Sequence, residues 1–268
     1  MGYSASRPAS DVSLLSQGTG SLARGVPPVE PGTLFVLGLH GGMSVSPNSR
    51  FRLVFGRNEP EVHVCVGADD PRVSRRQGHI SYEGSRWVLE NVGRAPIRMP
   101  GARLVLSGHR EVLPMAYTPL FIVCEEREHL LEVRVAGRTP ADLPSLPEMS
   151  TRQAQVWTLT ERERLVLVVL GCRYLRHEVH PQPLTWGEVA SELNDLQPAE
   201  SWGPKGVAHV VLKVRERLRA KGVRGLVREE VGEPVGNALN HNLLVELLLS
   251  TTLVPTDLRL LDGRRVDV

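Results

Sequence analysis

Phe55-Gly56-Arg57, followed by Asp70-Pro71-Arg72-Val73-Ser74-Arg75-Arg76-Gln77, is the stretch on which the reading of this chain turns. Gly56 lets the backbone turn at a strand end and present Arg57 from a loop. Arg57 brings a planar guanidinium, the group suited to bidentate contact with a phosphate. Ser74 brings a hydroxyl and a backbone N–H for a further phosphate oxygen, and Arg75 a second guanidinium beside it. Ser74-Arg75 falls in a separate inter-strand loop. Loops at one end of a β-sandwich converge, so Arg57, Ser74 and Arg75 can face one ligand.

Outward from this stretch the chain alternates between short apolar runs and turn residues. The runs include Leu34-Phe35-Val36-Leu37, Phe51 to Phe55, Val62 to Val66, His79-Ile80-Ser81-Tyr82 and Arg86-Trp87-Val88-Leu89. Arg103 to Leu106, Pro119 to Cys124 and Leu130 to Val135 continue the series. About eight to eleven short strands punctuated by Gly, Pro, Asn and Asp predict an all-β sandwich over residues 32–136. Glu83-Gly84-Ser85, between two alternating runs, reads as a hairpin turn.

The chain here resembles the forkhead-associated (FHA) domains. Their pattern runs Gly-Arg at a strand end, Ser-Arg-x-His, a Trp-containing strand, then an Asp-x-x-Ser-x-Asn-Gly turn. Gly56-Arg57, Val73-Ser74-Arg75-Arg76 and Arg86-Trp87-Val88-Leu89 stand in that order and spacing. The resemblance covers roughly residues 33–135. It implies that the sandwich reads phosphothreonine, with Arg57 and Ser74 on the phosphate and Arg75 beside them. Two positions depart from the pattern. Gln77 stands where the family has His, with His79 two residues on and on the same strand face. The family His braces the loop, and a carboxamide can donate and accept in its place. Arg94-Ala95-Pro96-Ile97 replaces the Ser-x-Asn-Gly turn. Pro96 lacks the amide that in the family anchors the ligand peptide, and Arg94 either adds charge to the pocket or is simply solvated.

Residues 137–157, with Pro140, Pro144 and Pro147, read as a linker. After it the apolar period changes from two to 3.6. Thr160-Glu161-Arg162-Glu163 and Thr185-Trp186-Gly187-Glu188 are capping boxes that open helices. Leu165, Val168, Val169, Cys172 and Leu175 form the apolar stripe of the first helix. A third helix is expected from Pro204 to Gly222, burying Val207, Val210, Val211, Val214 and Leu218, and another over Asn242 to Leu249. In layout residues 158–250 resemble the helix-turn-helix, winged-helix-like domains of actinobacterial FHA and signal-response proteins. That layout would expose Lys205, His209 and Lys213 on the third helix toward DNA. Glu216 dilutes the positive field on that face. Residues 1–31, poor in large apolar side chains, read as a mobile tail, and 251–268 as a C-terminal tail.

Composition narrows the rest. Hydrophobic residues make up 41%, charged residues 23%, and the net charge is +2, too balanced to announce a nucleic-acid binder. No apolar run approaches the roughly 18–20 residues of a membrane span, and no secretory signal opens the chain, so a cytoplasmic protein without a membrane partner is expected. Cys65, Cys124 and Cys172 are odd in number and far apart, as for buried thiols in a reducing compartment. Cys172, His177 and His180 lack a fourth ligand, so neither a metal nor another cofactor is expected. No nucleophile elbow or Gly-rich phosphate loop points to an enzyme. The leading expectation is an adaptor or regulator that binds a phosphothreonine-containing protein downstream of a Ser/Thr kinase. The rivals are a DNA-binding transcription regulator with FHA input and a phosphate-independent scaffold with a degenerate pocket. Thr19 and Thr151 are candidate phosphorylation sites for self-association.

Overall fold

The computed structural model describes residues 11–16, 18–125, 127–137, 155–231 and 235–262. The chain divides into two compact units, Met1–Pro147 and Glu148–Val268.

The first unit is a β-sandwich. Its strands are β1 (Val12–Leu14), β2 (Leu34–Leu37), β3 (Gly42–Val45), β4 (Leu53–Gly56), β5 (Val64–Cys65), β6 (Gly78–Glu83), β7 (Arg86–Asn91) and β8 (Ile97–Met99). β9 (Arg103–Val105), β10 (Arg110–Val112), β11 (Tyr117–Val123) and β12 (Glu128–Val135) complete it. One sheet runs β1-β3-β2-β12-β11-β8-β9 and the other β10-β7-β6-β4-β5. The pairings are antiparallel except β4 with β5, where Gly56 lies opposite Cys65. Between the sheets lie Leu34, Val36, Phe55, Ile80, Trp87, Leu120 and Val133, all buried. The Trp87 indole N–H donates to the Gly32 carbonyl at 2.7 Å, satisfying its one polar atom inside the core. Gly84 and Ser85 form the two-residue turn between β6 and β7. Their φ values of 51° and 85° are positive, as a type I′ turn requires at both central residues.

β2 explains why its run is apolar without alternation. Leu34 and Val36 face the sandwich core. Phe35 and Leu37 face outward, yet are buried against Leu22, Ala136 and the partly buried Leu15, Val26 and Tyr117. The N-terminal segment supplies that cover, and this corrects its reading as a mobile tail within 1–31. Val12–Leu14 pair with β3, and Leu22 is buried in a short 3₁₀ turn. A strand buried on both faces needs a second layer.

The helical unit holds α1 (Glu161–Leu170), α2 (Cys172–Leu175), α3 (Trp186–Leu196), α4 (Pro204–Ala220) and α5 (Ala238–Leu249). Both capping boxes form: the Thr160 hydroxyl accepts from the Glu163 N–H at 3.2 Å, and that of Thr185 from the Glu188 N–H at 3.3 Å. Val166 through Leu170 are all buried, so α1 is enclosed on every side over its second half rather than along one stripe. α4 buries Val207, Val211, Val214 and Leu218 of the expected face, and Val210 is only partly buried. α5 begins four residues before the expected Asn242. No strand occurs among the described residues of this unit, so no wing is seen there. Leu253 and Val254 are buried, and Arg164 donates to the Thr252 carbonyl and to Asp257. The first part of the stretch read as a C-terminal tail therefore belongs to the helical core. Of the linker expected at 137–157, residues 138–154 lie outside the described residues. Trp157 does not belong to a linker: its backbone N–H donates to the Thr252 hydroxyl and its indole N–H to Glu246. No helix is long and apolar enough to cross a membrane among the described residues.

Candidate functional site

Three loops meet at one end of the sandwich. The Arg57 N–H, just past β4, donates to the Ser74 carbonyl at 3.2 Å, and the Asn58 N–H donates to the Arg75 carbonyl at 3.4 Å. From the third loop the Arg94 N–H donates to the Ser74 hydroxyl oxygen at 3.0 Å. The backbones of Arg57, Ser74, Arg75 and Arg94 are thus tied together, and Arg94, which sequence left open between pocket and solvent, is exposed. The Ser74 hydroxyl, accepting from Arg94, keeps its own hydrogen to donate. Gly56 is required here: a Cβ at that position would lie 2.3 Å from the Arg75 carbonyl oxygen.

The arginines of these loops differ in how they are satisfied. Arg72 pairs with Asp70 at 3.0 Å and Arg76 with Glu61 at 3.5 Å. Arg57, Arg75 and Arg94 pair with no carboxylate among the described residues. Arg75 and Arg94 are exposed, whereas the Arg57 Nε is buried and has no hydrogen-bond partner. A charged donor withdrawn from water and left unpaired is costly, about 1–3 kcal/mol or more. Such a group stands out as one that a ligand would complete.

Gln77 is the brace beneath this end, in the place where the family has His. It is fully buried. Its Oε1 accepts from the Ser74 N–H at 3.0 Å, and its Nε2 donates to Asn91 Oδ1 at 2.9 Å and to the Ala95 carbonyl at 2.8 Å. Asn91, also fully buried, donates in turn to the Ala95 and Val105 carbonyls and accepts from the Gly93 N–H. One carboxamide pair therefore ties the Ser74 loop to the Arg94 loop. Gly93 lies against it; a Cβ there would meet the Gln77 amide at 2.3 Å. His79 takes no part, lying 3.5 Å from Glu90 on β7. Sequence reading missed Asn91; the signal was a polar residue where β7's alternation points inward.

A second polar cluster anchors the Ser74 loop from below. Buried Asp70 accepts from the Arg72 backbone and side chain, and from His129 Nε2 on β12 at 2.9 Å. Burial alone would raise the Asp70 carboxyl; the bonds from Arg72 and His129 outweigh it and hold the group far below the usual carboxylate range. Asp70, Cys124 and His129 place three metal-ligand atoms within 4.8 Å of one another. Burial and the Asp70 charge push the Cys124 thiol up. With Asp70 already held by a guanidinium, the arrangement fits a loop anchor better than an ion site. Cys172, His177 and His180 form no such group among the described residues.

In the helical unit Lys205 and His209 line one cleft, while Lys213 is exposed outside it. Thr19 lies in a turn, its N–H donating to the Ser16 carbonyl at 2.9 Å. Thr151 falls outside the described residues.

No family model matches the chain, and no curated protein matches it. Among solved structures it is similar to the FHA-1 domain of Mycobacterium tuberculosis Rv1747, at 20% identity and a TM-score of 0.32 over 40% of this chain and 99% of that one. It is also similar to the N-terminal FHA domain of S. cerevisiae Rad53p in complex with a phosphothreonine peptide, at 15% identity and a TM-score of 0.31 over 38% of this chain and 93% of that one. The FHA domain of the Chlamydia trachomatis CT664 protein is similar at 13% identity and a TM-score of 0.30, over 38% of this chain and 96% of that one.

Proposed function

We propose that the sandwich reads phosphothreonine on a partner protein, and that the chain is a non-catalytic signalling adaptor or regulator acting downstream of a Ser/Thr kinase. The observation that carries this is the buried, unpartnered Nε of Arg57, on a loop whose backbone is hydrogen-bonded to that of Ser74. A phosphate there takes the guanidinium and the hydroxyl together, and unpaired Arg75 and Arg94 add positive charge at the rim. The Gln77–Asn91 bracing serves the same end, because a preorganised site loses less on binding. A cytoplasmic setting, where kinases act, suits this reading.

Calorimetry of the full chain against a phosphothreonine peptide library and its unphosphorylated twin tests it. The phosphorylated peptides should bind at least tenfold tighter, and Arg57→Ala should remove that difference. Equal affinity for the two sets would leave a scaffold without phosphate dependence. Pro96, in place of the family Asn, predicts shallow discrimination among residues flanking the phosphothreonine.

A second reading makes the helical unit a helix-turn-helix that contacts DNA through α4. Exposed Lys205 and Lys213 on that helix favour it. A gel shift on random duplex at low salt, with Lys213→Ala reducing the salt slope by about one, is the result this reading requires.

A further inference from the structure

A cleft of about 650 Å³ opens in the helical unit between the start of α3, one face of α4, the 3₁₀ turn at Arg228 and the start of α5. Three features of its lining converge. The first is unbalanced charge. Lys205, Arg215 and Arg228 line it, and none is paired with a carboxylate among the described residues. Within this unit Arg162 pairs with Glu200, Arg164 with Asp257 and Arg217 with Glu163, and none of these three lines the cleft. Arg215 is half-buried; desolvation lowers its proton affinity, Glu216 beside it opposes, and the charge of Arg228 lowers it further. Two guanidiniums that repel across a cleft are what an anion would stabilise.

The second feature is an orphan acceptor. Asn240, on the first turn of α5, is 9% exposed and lines the cleft, and its side-chain oxygen is buried with no hydrogen-bond partner. An unmade bond of this kind is costly, and what it lacks is an N–H or O–H donor. The third feature is an apolar wall. Trp186 presents an indole to the cleft and Leu212 is 39% exposed there.

We propose that this cleft binds a nucleotide. Arg215, Arg228 and Lys205 take the phosphates, Trp186 and Leu212 pack on the base, and the Asn240 side chain, its oxygen closed to water as the cleft stands, turns to accept from a base or ribose donor. The volume falls in the usual range for small-ligand sites, roughly 300–1,000 Å³. The same geometry disfavours DNA as the occupant. A helix reading a major groove presents a free convex ridge, whereas the Lys205–Arg215 face of α4 forms the wall of a concavity. The inference stands apart from phosphothreonine reading, since no residue of the sandwich enters it.

The full chain titrated by calorimetry with ATP, GTP and their cyclic monophosphates tests the proposal, with inorganic phosphate and a random DNA duplex run beside them. At least one nucleotide should bind saturably in the micromolar range. Arg228→Ala should weaken it tenfold or more; Arg228 is exposed and unpaired, so this variant folds. Arg219→Ala, on α4 outside the cleft, should change nothing, and Leu212→Asp should weaken binding through charge. No saturable binding of any of these nucleotides overturns the proposal. So does inorganic phosphate binding as tightly as the nucleotides. Duplex binding that Arg228→Ala abolishes, without nucleotide binding, overturns it in favour of DNA.

Discussion

Ser21 and Glu132 are 111 residues apart and joined by a hydrogen bond of 2.5 Å between hydroxyl and carboxylate. Glu132 is fully buried on β12, and it also accepts from the Leu22 N–H at 3.3 Å and the Tyr117 hydroxyl at 2.7 Å. Burial first, then the Glu132 charge, holds the Tyr117 hydroxyl far above its ordinary value, so it stays a donor. A buried carboxylate is tolerable only when its lone pairs are taken. Here the N-terminal segment takes two of them.

Glu132→Ala strips three donors of their acceptor and is expected to cost about 3 kcal/mol or more. Chemical denaturation of a variant in which Trp87 is the one tryptophan kept, with Trp157, Trp186 and Trp202 each replaced by Phe, measures it. Removal of residues 1–31 should cost at least as much, because Phe35 and Leu37 then lose their cover. A truncated chain as stable as the full one would restore the tail reading.

At the site end, Gln77→Leu keeps the volume but leaves the Ser74 N–H without a partner and takes from Asn91 Oδ1 one of its two donors. A loss of about 2–4 kcal/mol in stability is expected. Phosphopeptide affinity should fall as well at temperatures where the variant is still folded. Gln77→His is expected to retain more of both, since an imidazole can still brace Ser74. Unchanged affinity in the folded Gln77→Leu protein would show that the brace does not position the site.

The arginines give a contrast within one cluster. Arg57→Ala should cost roughly 2–5 kcal/mol of phosphopeptide binding, as for a desolvated charge pair. Arg76→Ala should cost less than about 1 kcal/mol, its guanidinium being exposed and shared with Glu61. Equal losses from the two variants, measured by calorimetry, would mean that only the summed charge matters.

Asp70 makes the sandwich acid-sensitive. Its folded carboxyl sits far below the unfolded value of 3.8, so as pH falls through that value the unfolded chain gains a proton that the folded one refuses. The stability it contributes is complete above the unfolded pKa and drains away as pH falls toward the folded one. Asp70→Asn should flatten that part of the stability–pH curve between about pH 5 and pH 2. A variant whose curve keeps the wild-type slope would place the acid sensitivity elsewhere.

The parts that sequence made legible are those where one residue type has few alternatives. Gly56-Arg57, Ser74 and the Trp87 strand placed the site, and two Thr-x-x-Glu boxes placed α1 and α3. β1, β3, β8 and β10 were missed, being three or four residues long and without a run of branched or aromatic side chains. The N-terminal segment was misread because its apolar anchors, Leu15, Leu22 and Val26, are scattered among small polar residues, and its polar partner Glu132 lies far along the chain. Leu253 and Val254 escaped for a similar reason, as two apolar residues with no periodicity around them. The site's bracing amide pair joins Gln77 to Asn91 across two strands, and local pattern cannot show such a partner.

The pairing of β2 with β12 also has a consequence for how the protein is made. Phe35 opposes Arg134 in that ladder, and β2 in turn carries β3 and β1. Non-local pairings of this kind slow folding, because loop closure must come before any contact rewards it. On the ribosome, the first three strands have nothing to close against until residue 135 has left the exit tunnel. Through that interval Phe35, Leu37 and Leu22 remain open to a chaperone, and the loops that carry Arg57 and Ser74, though synthesised earlier, wait on the last strand of the sandwich.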